Sequence, residues 1–361
     1  MESLESGIEM RILMKSLWVV LTMLVITPAV QAADLFDWLE VPSSTKKGAA
    51  AKPADDARLL TLEPRQSEMY PRAPVSGQLL LANVSQGKKS WVSRRSLNNG
   101  DPLNIVSDDN HVLDSIRWHG EKVTFLSMRG NGLGLWERFA DGGGLLKRLH
   151  ELNGSLTQPI LLADGAVIAV RLLAERVSDK VSKKNVKDNF NNWQFASYRS
   201  QIVRIDQGGS ERVLNRGTNP ALSPDGEWIA FSMADGRDMN LYLMRTDGSE
   251  LTQLPSSRSV DVQPAWSPDG KWIVFTSNRA KSDLRKPANN NWDIWAIDRE
   301  GRNLTQLTMD AARDGAPTVA VDGRVYFHSD RKVGKVLKVQ RQVKGNSGRF
   351  HVWSLPLPTL N

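Results

Sequence analysis

The sequence predicts an all-β protein: a six-bladed β-propeller of four-stranded antiparallel blades, closed by an N-terminal strand. Three observations carry the prediction. First, Asn219-Pro220-Ala221-Leu222-Ser223-Pro224-Asp225-Gly226-Glu227-Trp228-Ile229-Ala230-Phe231-Ser232 recurs 44 residues later as Gln263-Pro264-Ala265-Trp266-Ser267-Pro268-Asp269-Gly270-Lys271-Trp272-Ile273-Val274-Phe275-Thr276. A repeat of that period, made of short β runs and Pro-Asp-Gly turns, marks a propeller blade rather than a helical solenoid. Second, weaker copies fill most of the remaining chain. Third, the last copy lacks a fourth strand, whereas Arg58-Leu59-Leu60-Thr61-Leu62, ahead of the first copy, reads like the Leu-Thr-Gln-Leu strand that ends the clear ones.

In the clearest blade, Pro268-Asp269-Gly270 has tight-turn chemistry: proline presets φ, aspartate bonds to the backbone and glycine accepts positive φ. Its strands are expected over 264–267, 272–276, 292–298 and 304–307, apolar, β-branched and aromatic as strands require. Blade four supplies 240–244 and 251–254 as its third and fourth strands. Upstream blades read as 70–75, 78–83, 91–95 and 103–106; then 114–118, 122–127, 134–138 and 145–149; then 158–162, 166–171, 201–206 and 212–214. Blade six reads as 317–320, 325–327 and 350–355. Residues 335–343 also alternate with period two, but 350–355 aligns with 292–297 position by position and is the better third strand. A ring closed by residues 58–62 would hide its last edge.

One propeller occupies about 300 of the 361 residues, so a single folded domain over 57–358 is expected. Residues 1–32 read as a signal peptide: Arg11 and Lys15 precede an apolar run over 17–26, and Val30-Gln31-Ala32 offers a small-residue cleavage site. The acidic Glu2, Glu5 and Glu9 do not suit such a peptide, which points to a start at Met10 or Met14. The chain has no cysteine, hence no disulfide framework and no lipid-bearing cysteine. A soluble periplasmic protein is expected. Residues 33–56 form an N-terminal segment and linker in which Asp34-Leu35-Phe36-Asp37-Trp38-Leu39 is acidic and aromatic. Either it packs on the ring, or Phe36 and Trp38 anchor a docking peptide captured by another protein.

The blades resemble those of the TolB family of periplasmic propellers. The resemblance rests on Trp266-Ser267-Pro268-Asp269-Gly270-Lys271, Ile273-Val274-Phe275, Asp293-Ile294-Trp295 and Leu304-Thr305-Gln306-Leu307-Thr308, most of which blade four repeats. It implies a six-bladed, envelope-associated binding protein. In TolB itself the propeller grips a peptidoglycan-associated lipoprotein, and a mobile N-terminal segment signals to a membrane-bound partner. TolB also carries an α/β domain before its ring, where this chain has a short segment, so a TolB-like paralogue with another partner is the expectation.

The formal net charge of +7 is concentrated. Residues 172–199 hold six basic and three acidic side chains, 278–291 four and one, and 329–349 seven and one. Each stretch joins the second and third strands of its blade. In antiparallel blades those connections emerge on one face and the Pro-Asp-Gly turns on the other. Solvated loops would account for the charge, and so would a rim for an anionic partner, whose encounter such a field accelerates. Acidic proteins, lipid headgroups and acidic polysaccharide are candidates; nucleic acid is not expected in that compartment. Lys332, Lys335 and Lys338 lie on this rim. A Ser-x-Arg signature also closes strand two in Ser127-Met128-Arg129, Ser277-Asn278-Arg279 and Ser329-Asp330-Arg331. It reads either as a hydrogen-bond network or as arginines at the channel mouth, suited to carboxylate or phosphate.

Catalytic signals are sparse. No two of His111, His119, His150, His328 and His351 have metal-ligand spacing, and no Gly-x-Ser-x-Gly elbow occurs. His328 follows the strand-two phenylalanine where blade five has Thr276. Trp118, Trp136, Trp228, Trp266, Trp272, Trp295 and Trp353 fall on strands, as inter-blade packing would place them. No cofactor or metal is expected. The sequence thus reads as a non-enzymatic, protein-binding component of a cell-envelope assembly. The alternative is a polysaccharide-binding or carbohydrate-active propeller, a lyase or an export accessory, which calls for His, Glu or Gln clustered in the channel.

Overall fold

The computed structural model describes residues 55–358 except 62, 64, 88, 108–111, 113, 175–189, 191–197, 283–289 and 332–348. Phe36, Trp38, Lys332, Lys335 and Lys338, with the expected signal peptide, lie outside the described residues. The chain enters through β1 (Arg58–Leu59) and builds blade one from β2 (Ser67–Arg72), β3 (Leu79–Gln86), β4 (Lys89–Ser96) and β5 (Pro102–Ser107). Blade two is β6 (Arg117–His119), β7 (Lys122–Ser127), β8 (Gly134–Phe139) and β9 (Lys147–Glu151), and blade three β10 (Leu156–Leu161), β11 (Val167–Ala174), β12 (Tyr198–Ile205) and β13 (Glu211–Arg216). Blade four follows as β14 (Thr218–Leu222), β15 (Trp228–Asp235), β16 (Asp238–Arg245) and β17 (Thr252–Gln253), and blade five as β18 (Asp261–Trp266), β19 (Trp272–Ser277), β20 (Asp293–Asp298) and β21 (Thr305–Gln306). Blade six is β22 (Asp314–Val319), β23 (Arg324–Ser329) and β24 (His351–Pro356), completed by β1. The expected architecture, six four-stranded antiparallel sheets with N-terminal closure, is the one observed.

The repeated turns are atomically alike. Trp228 N–H donates to Ser223 Oγ and Trp272 N–H to Ser267 Oγ, both at 2.9 Å. Asp225 and Asp269 accept the amides of Glu227 and Lys271 at 3.0 and 3.1 Å. Gly226 and Gly270 take φ of +76° and +70°, a backbone region that glycine enters without steric cost.

The core is divided into six sandwiches, one between each pair of adjacent blades. Period-two alternation sends Ile229 and Phe231 toward blade three and Ala230 toward blade five. Trp272, Val274 and Ile294 of blade five meet Phe327, Trp353 and Leu355 of blade six. The tryptophans on strands are largely spent in these layers, Trp118 and Trp136 between blades one and two and Trp228, Trp266 and Trp295 between four and five.

Closure uses few residues. Arg58 pairs with Ser354 and Leu59 with Trp353. Leu60 N–H then donates to Val352 O at 2.9 Å, while Val352 N–H donates to Thr61 Oγ1 at 3.0 Å. Leu59 packs into the blade five–six layer and Leu60 into the blade six–one layer. Gly100 has φ +74°, and a Cβ there would lie 2.0 Å from Leu60 O, so the closing strand passes where blade one carries no side chain.

The first strands differ from the sequence expectation. Those of blades one, three, five and six begin two or three residues earlier than expected, and these four and β14 contain a β-bulge, whereas β6 starts at Arg117 instead of 114. First strands of neighbouring blades touch, and Trp118 Nε1 donates to Arg72 O at 2.7 Å between the first two. These six strands therefore line the axis.

Candidate functional site at the inner ring

Each blade places one non-glycine residue with positive φ on this axis: Tyr70 (+52°), Asp114 (+57°), Gln158 (+53°), Asn219 (+54°), Gln263 (+55°) and Ala316 (+48°). Five of the six precede a proline, where the local preference is extended backbone. Left-handed non-glycine residues cost on the order of 1–3 kcal/mol each and persist only where the surroundings over-determine them.

What over-determines them is a hydrogen-bond belt around the axis. Asn219 N–H donates to Gln158 Oε1 at 2.8 Å, joined there by Thr218 Oγ1 at 3.2 Å. Gln263 N–H donates to Asn219 Oδ1 at 3.4 Å, and Ala316 N–H to Gln263 Oε1 at 2.9 Å. In blades four to six the left-handed turn points the amide at the side chain of the preceding blade. Ala316 has no acceptor to offer, and the belt there shifts to His328: Tyr70 N–H donates to His328 Nδ1 at 3.1 Å. Nδ1 accepts, so the ring is neutral with its proton on Nε2. Burial, with the charges of Arg72 and Arg313, holds its pKa well below the usual histidine value. Gln263→Leu should remove the acceptor shared by the Ala316 amide and the Thr276 hydroxyl, leaving that amide only Thr276 Oγ1 at 3.0 Å, a loss of about 1 kcal/mol, read as a lower urea midpoint with an unchanged slope.

The face that bears the strand two-to-three connections is capped by aromatic rings. Phe190, from the connection of blade three, is buried against Trp292 (5.8 Å) of blade five and His328 (5.5 Å) and Phe350 (5.6 Å) of blade six. Arg313 lies 4.9–5.2 Å over Phe350 and Phe190. Met69, Tyr70, Val262 and Ala316 complete this cluster at the loop-side end of the axis.

The Ser-x-Arg arginines sit on the same face and make one repeated motif. Ser127, Ser277 and Ser329 each accept, at Oγ, the amide of the arginine two residues on. Arg279 pairs with Asp261 at 2.5 Å and lies over Phe275 and Trp295. Arg331 is held between Asp314 (2.6 Å) and Asp55 (2.5 Å), over Phe327 and Trp353. Arg129 lies over Phe125 at 5.7 Å. The motif ties strand one to strand two within a blade, and in blade six it also captures Asp55 ahead of the closing strand. Burial pushes the Asp314 carboxyl up to about 6, although Arg331 pulls it down.

His119 contacts Glu137 at 3.0 Å, His150 contacts Gly165 O at 2.8 Å and His351 lies 3.5 Å from Glu68; His111 is outside the described residues. Among the described residues no cluster of His, Cys, Asp or Glu could hold a metal ion, and no helix is long and apolar enough to cross a membrane. The inner ring brings together His328, Gln158 and Gln263, which spacing in sequence does not reveal, and engages all three in the belt.

Residues 193–283 match the family described as TolB beta propeller domain. No curated protein sequence matches the chain. Among solved structures, the putative TolB from Agrobacterium tumefaciens is 18% identical with a TM-score of 0.51, covering 84% of this chain and 94% of that one. An oligogalacturonate lyase in complex with manganese is 14% identical with a TM-score of 0.46, over 84% of this chain and 95% of that one. TolB from Acinetobacter baumannii is 15% identical with a TM-score of 0.42, over 78% and 68%. The fold is that of a TolB-like propeller.

Proposed function

We propose that this TolB-like propeller is a periplasmic, non-enzymatic binding protein that engages an acidic protein partner within a cell-envelope assembly. The carrying observation is the position of charge. The connections of blades three, five and six, with sixteen basic and five acidic side chains by sequence, all follow the second strand of their blade, which ends on one face. Arg279 and Arg331 lie at that face but are buried and neutralised by Asp261, Asp314 and Asp55, so the reading rests on the charge of the connections and not on these two arginines. An N-terminal segment carrying Phe36 and Trp38 would supply a second contact, read from the sequence alone.

Replacing Lys332, Lys335, Lys338 and Lys344 by Glu should slow association with a purified envelope partner and flatten its salt dependence, because long-range charge acts chiefly on the association rate. Melting should barely change, since exposed charges add little to stability. Four Glu substitutions on the Pro-Asp-Gly face are the control. Equal association rates and salt slopes for both quadruple variants and wild type would overturn the reading.

A further inference from the structure

We propose that Arg72 and Arg117 form a binding site for a small carboxylate on the axis of the ring, distinct from the basic loop face. Register makes the placement specific. In five blades one residue of the inner strand forms the first pair beyond the bulge, Ile160, Ala221, Ala265 and Thr318 in blades three to six but Arg72 in blade one, and in blade two Arg117 takes that place, pairing just before Trp118 as Ala265 pairs just before Trp266. Two adjacent blades thus substitute guanidinium groups where the other four carry small or apolar side chains.

Both arginines address one carboxylate. Arg72 Nη2 pairs with Asp114, and Arg117 Nη1 lies 3.5 Å from the same oxygen. Asp114 is 2% exposed and the two arginine side chains 18% each, leaving one positive charge in excess where water is scarce. Other buried pairs in the ring are matched, such as Asp261 with Arg279 and Glu68 with Arg95.

The donors show which ligand would fit. All hydrogen bonds of Arg117 among the described residues leave from Nη1, to Asp114 O (3.0 Å), Asp114 Oδ1 (3.5 Å) and Ile116 O (2.8 Å). Its Nε and Nη2, the edge that grips a planar carboxylate side-on, make none. Arg331 shows that edge in use in this chain, holding Asp314 through Nε (3.3 Å) and Nη2 (2.6 Å). Gln158 Nε2, 3.4 Å from Asp114, adds an amide donor beside the site. Burial, then the charge of Arg72, lowers Arg117 to about 10, still charged at neutral pH and short of negative partners. A bound anion would relieve that; the fork geometry favours carboxylate, two oxygens in one plane, as charge-assisted bidentate pairs do.

Access is from the turn face. Inner strands run from the loop face toward the turns, and Arg117 stands two residues before the turn that begins at His119, beyond the Phe190 cluster. Calorimetric titration of the purified chain with succinate at constant ionic strength, chloride as reference, should give saturable binding in the millimolar range or tighter. Inorganic phosphate should bind at least about fivefold more weakly, since a tetrahedral anion meets the fork less well. Arg117→Gln should weaken succinate binding at least about tenfold, and Arg117→Lys, which keeps the charge and loses the fork, by an intermediate factor. Arg299→Gln, outside the site, should leave it unchanged. No saturable heat up to about 10 mM succinate, phosphate binding as tight as succinate, or Arg117→Lys binding like wild type would each overturn the proposal. Because these readouts involve no protein partner, their failure is distinguishable from failure of the basic-rim reading.

Discussion

Deleting residues 57–62 should leave a ring that aggregates or melts about 10 °C lower. The closing strand offers two paired residues, three further hydrogen bonds to Val352 and two leucines seated in different inter-blade layers. Partial burial of two leucines and the loss of these bonds together amount to about 5 kcal/mol. In a chain of this size each kcal/mol moves the midpoint by roughly 2 °C. The deletion also bares the edge of β24, whose unpaired backbone groups template intermolecular pairing. Differential scanning calorimetry with light scattering reads both effects. A soluble deletion variant that melts like wild type would show that β1 contributes nothing to closure.

Arg331→Met should be the most damaging single substitution on the loop face, costing about 4 kcal/mol near pH 7.5, because it leaves Asp314 buried without its counter-charge. The loss should shrink on acidification. Asp314 titrates near 6 when folded and at the ordinary carboxylate value when unfolded, so the folded state binds the extra proton between those values. Its contribution therefore improves as pH falls from about 7 toward 4. Removing Arg331 takes away a charge that lowers this pKa, which moves the window upward. Urea unfolding at pH 7.5 and pH 5.0 should find the gap between variant and wild type narrower at the lower pH. A gap independent of pH would mean that the damage comes from lost packing on Phe327 and Trp353.

Local chemistry made the fold legible. The Ser-Pro-Asp-Gly turns announce themselves because serine, aspartate and glycine each satisfy a distinct demand of one turn, and Trp353 could be aligned with Trp295 by apolar alternation alone. The inner strands were less legible because Gln263-Pro264 and its counterparts break a local rule: the residue before proline was expected to be extended, and the belt holds it left-handed. The belt itself connects residues 44 to 258 positions apart and leaves no local trace. Arg279 and Arg331 could be picked out as special from the repeated Ser-x-Arg, but their aspartates lie on another strand, so the partner was invisible. Arg72 and Arg117 escaped for a related reason. Their equivalence rests on strand register beyond a bulge in one blade and a two-residue hairpin in the other, and blade two spaces its left-handed residue one position further from the register point than blade five does.

The meeting of β1 with β24 has a consequence for the order of events during folding. Residues separated by nearly the whole described chain, Leu59 and Trp353, must find one another before the final sheet exists. The other five sheets are each built from strands consecutive in sequence and can form as the chain lengthens. Folding should therefore be polarised, with blades assembling early and a slow last step set by loop closure over about 290 residues. Until that step the chain is a nearly complete arc with one bare edge, the species most exposed to self-association. Refolding yield should fall with protein concentration while the rate of early strand formation stays constant, and a peptide spanning residues 55–62, added in trans, should compete for that edge.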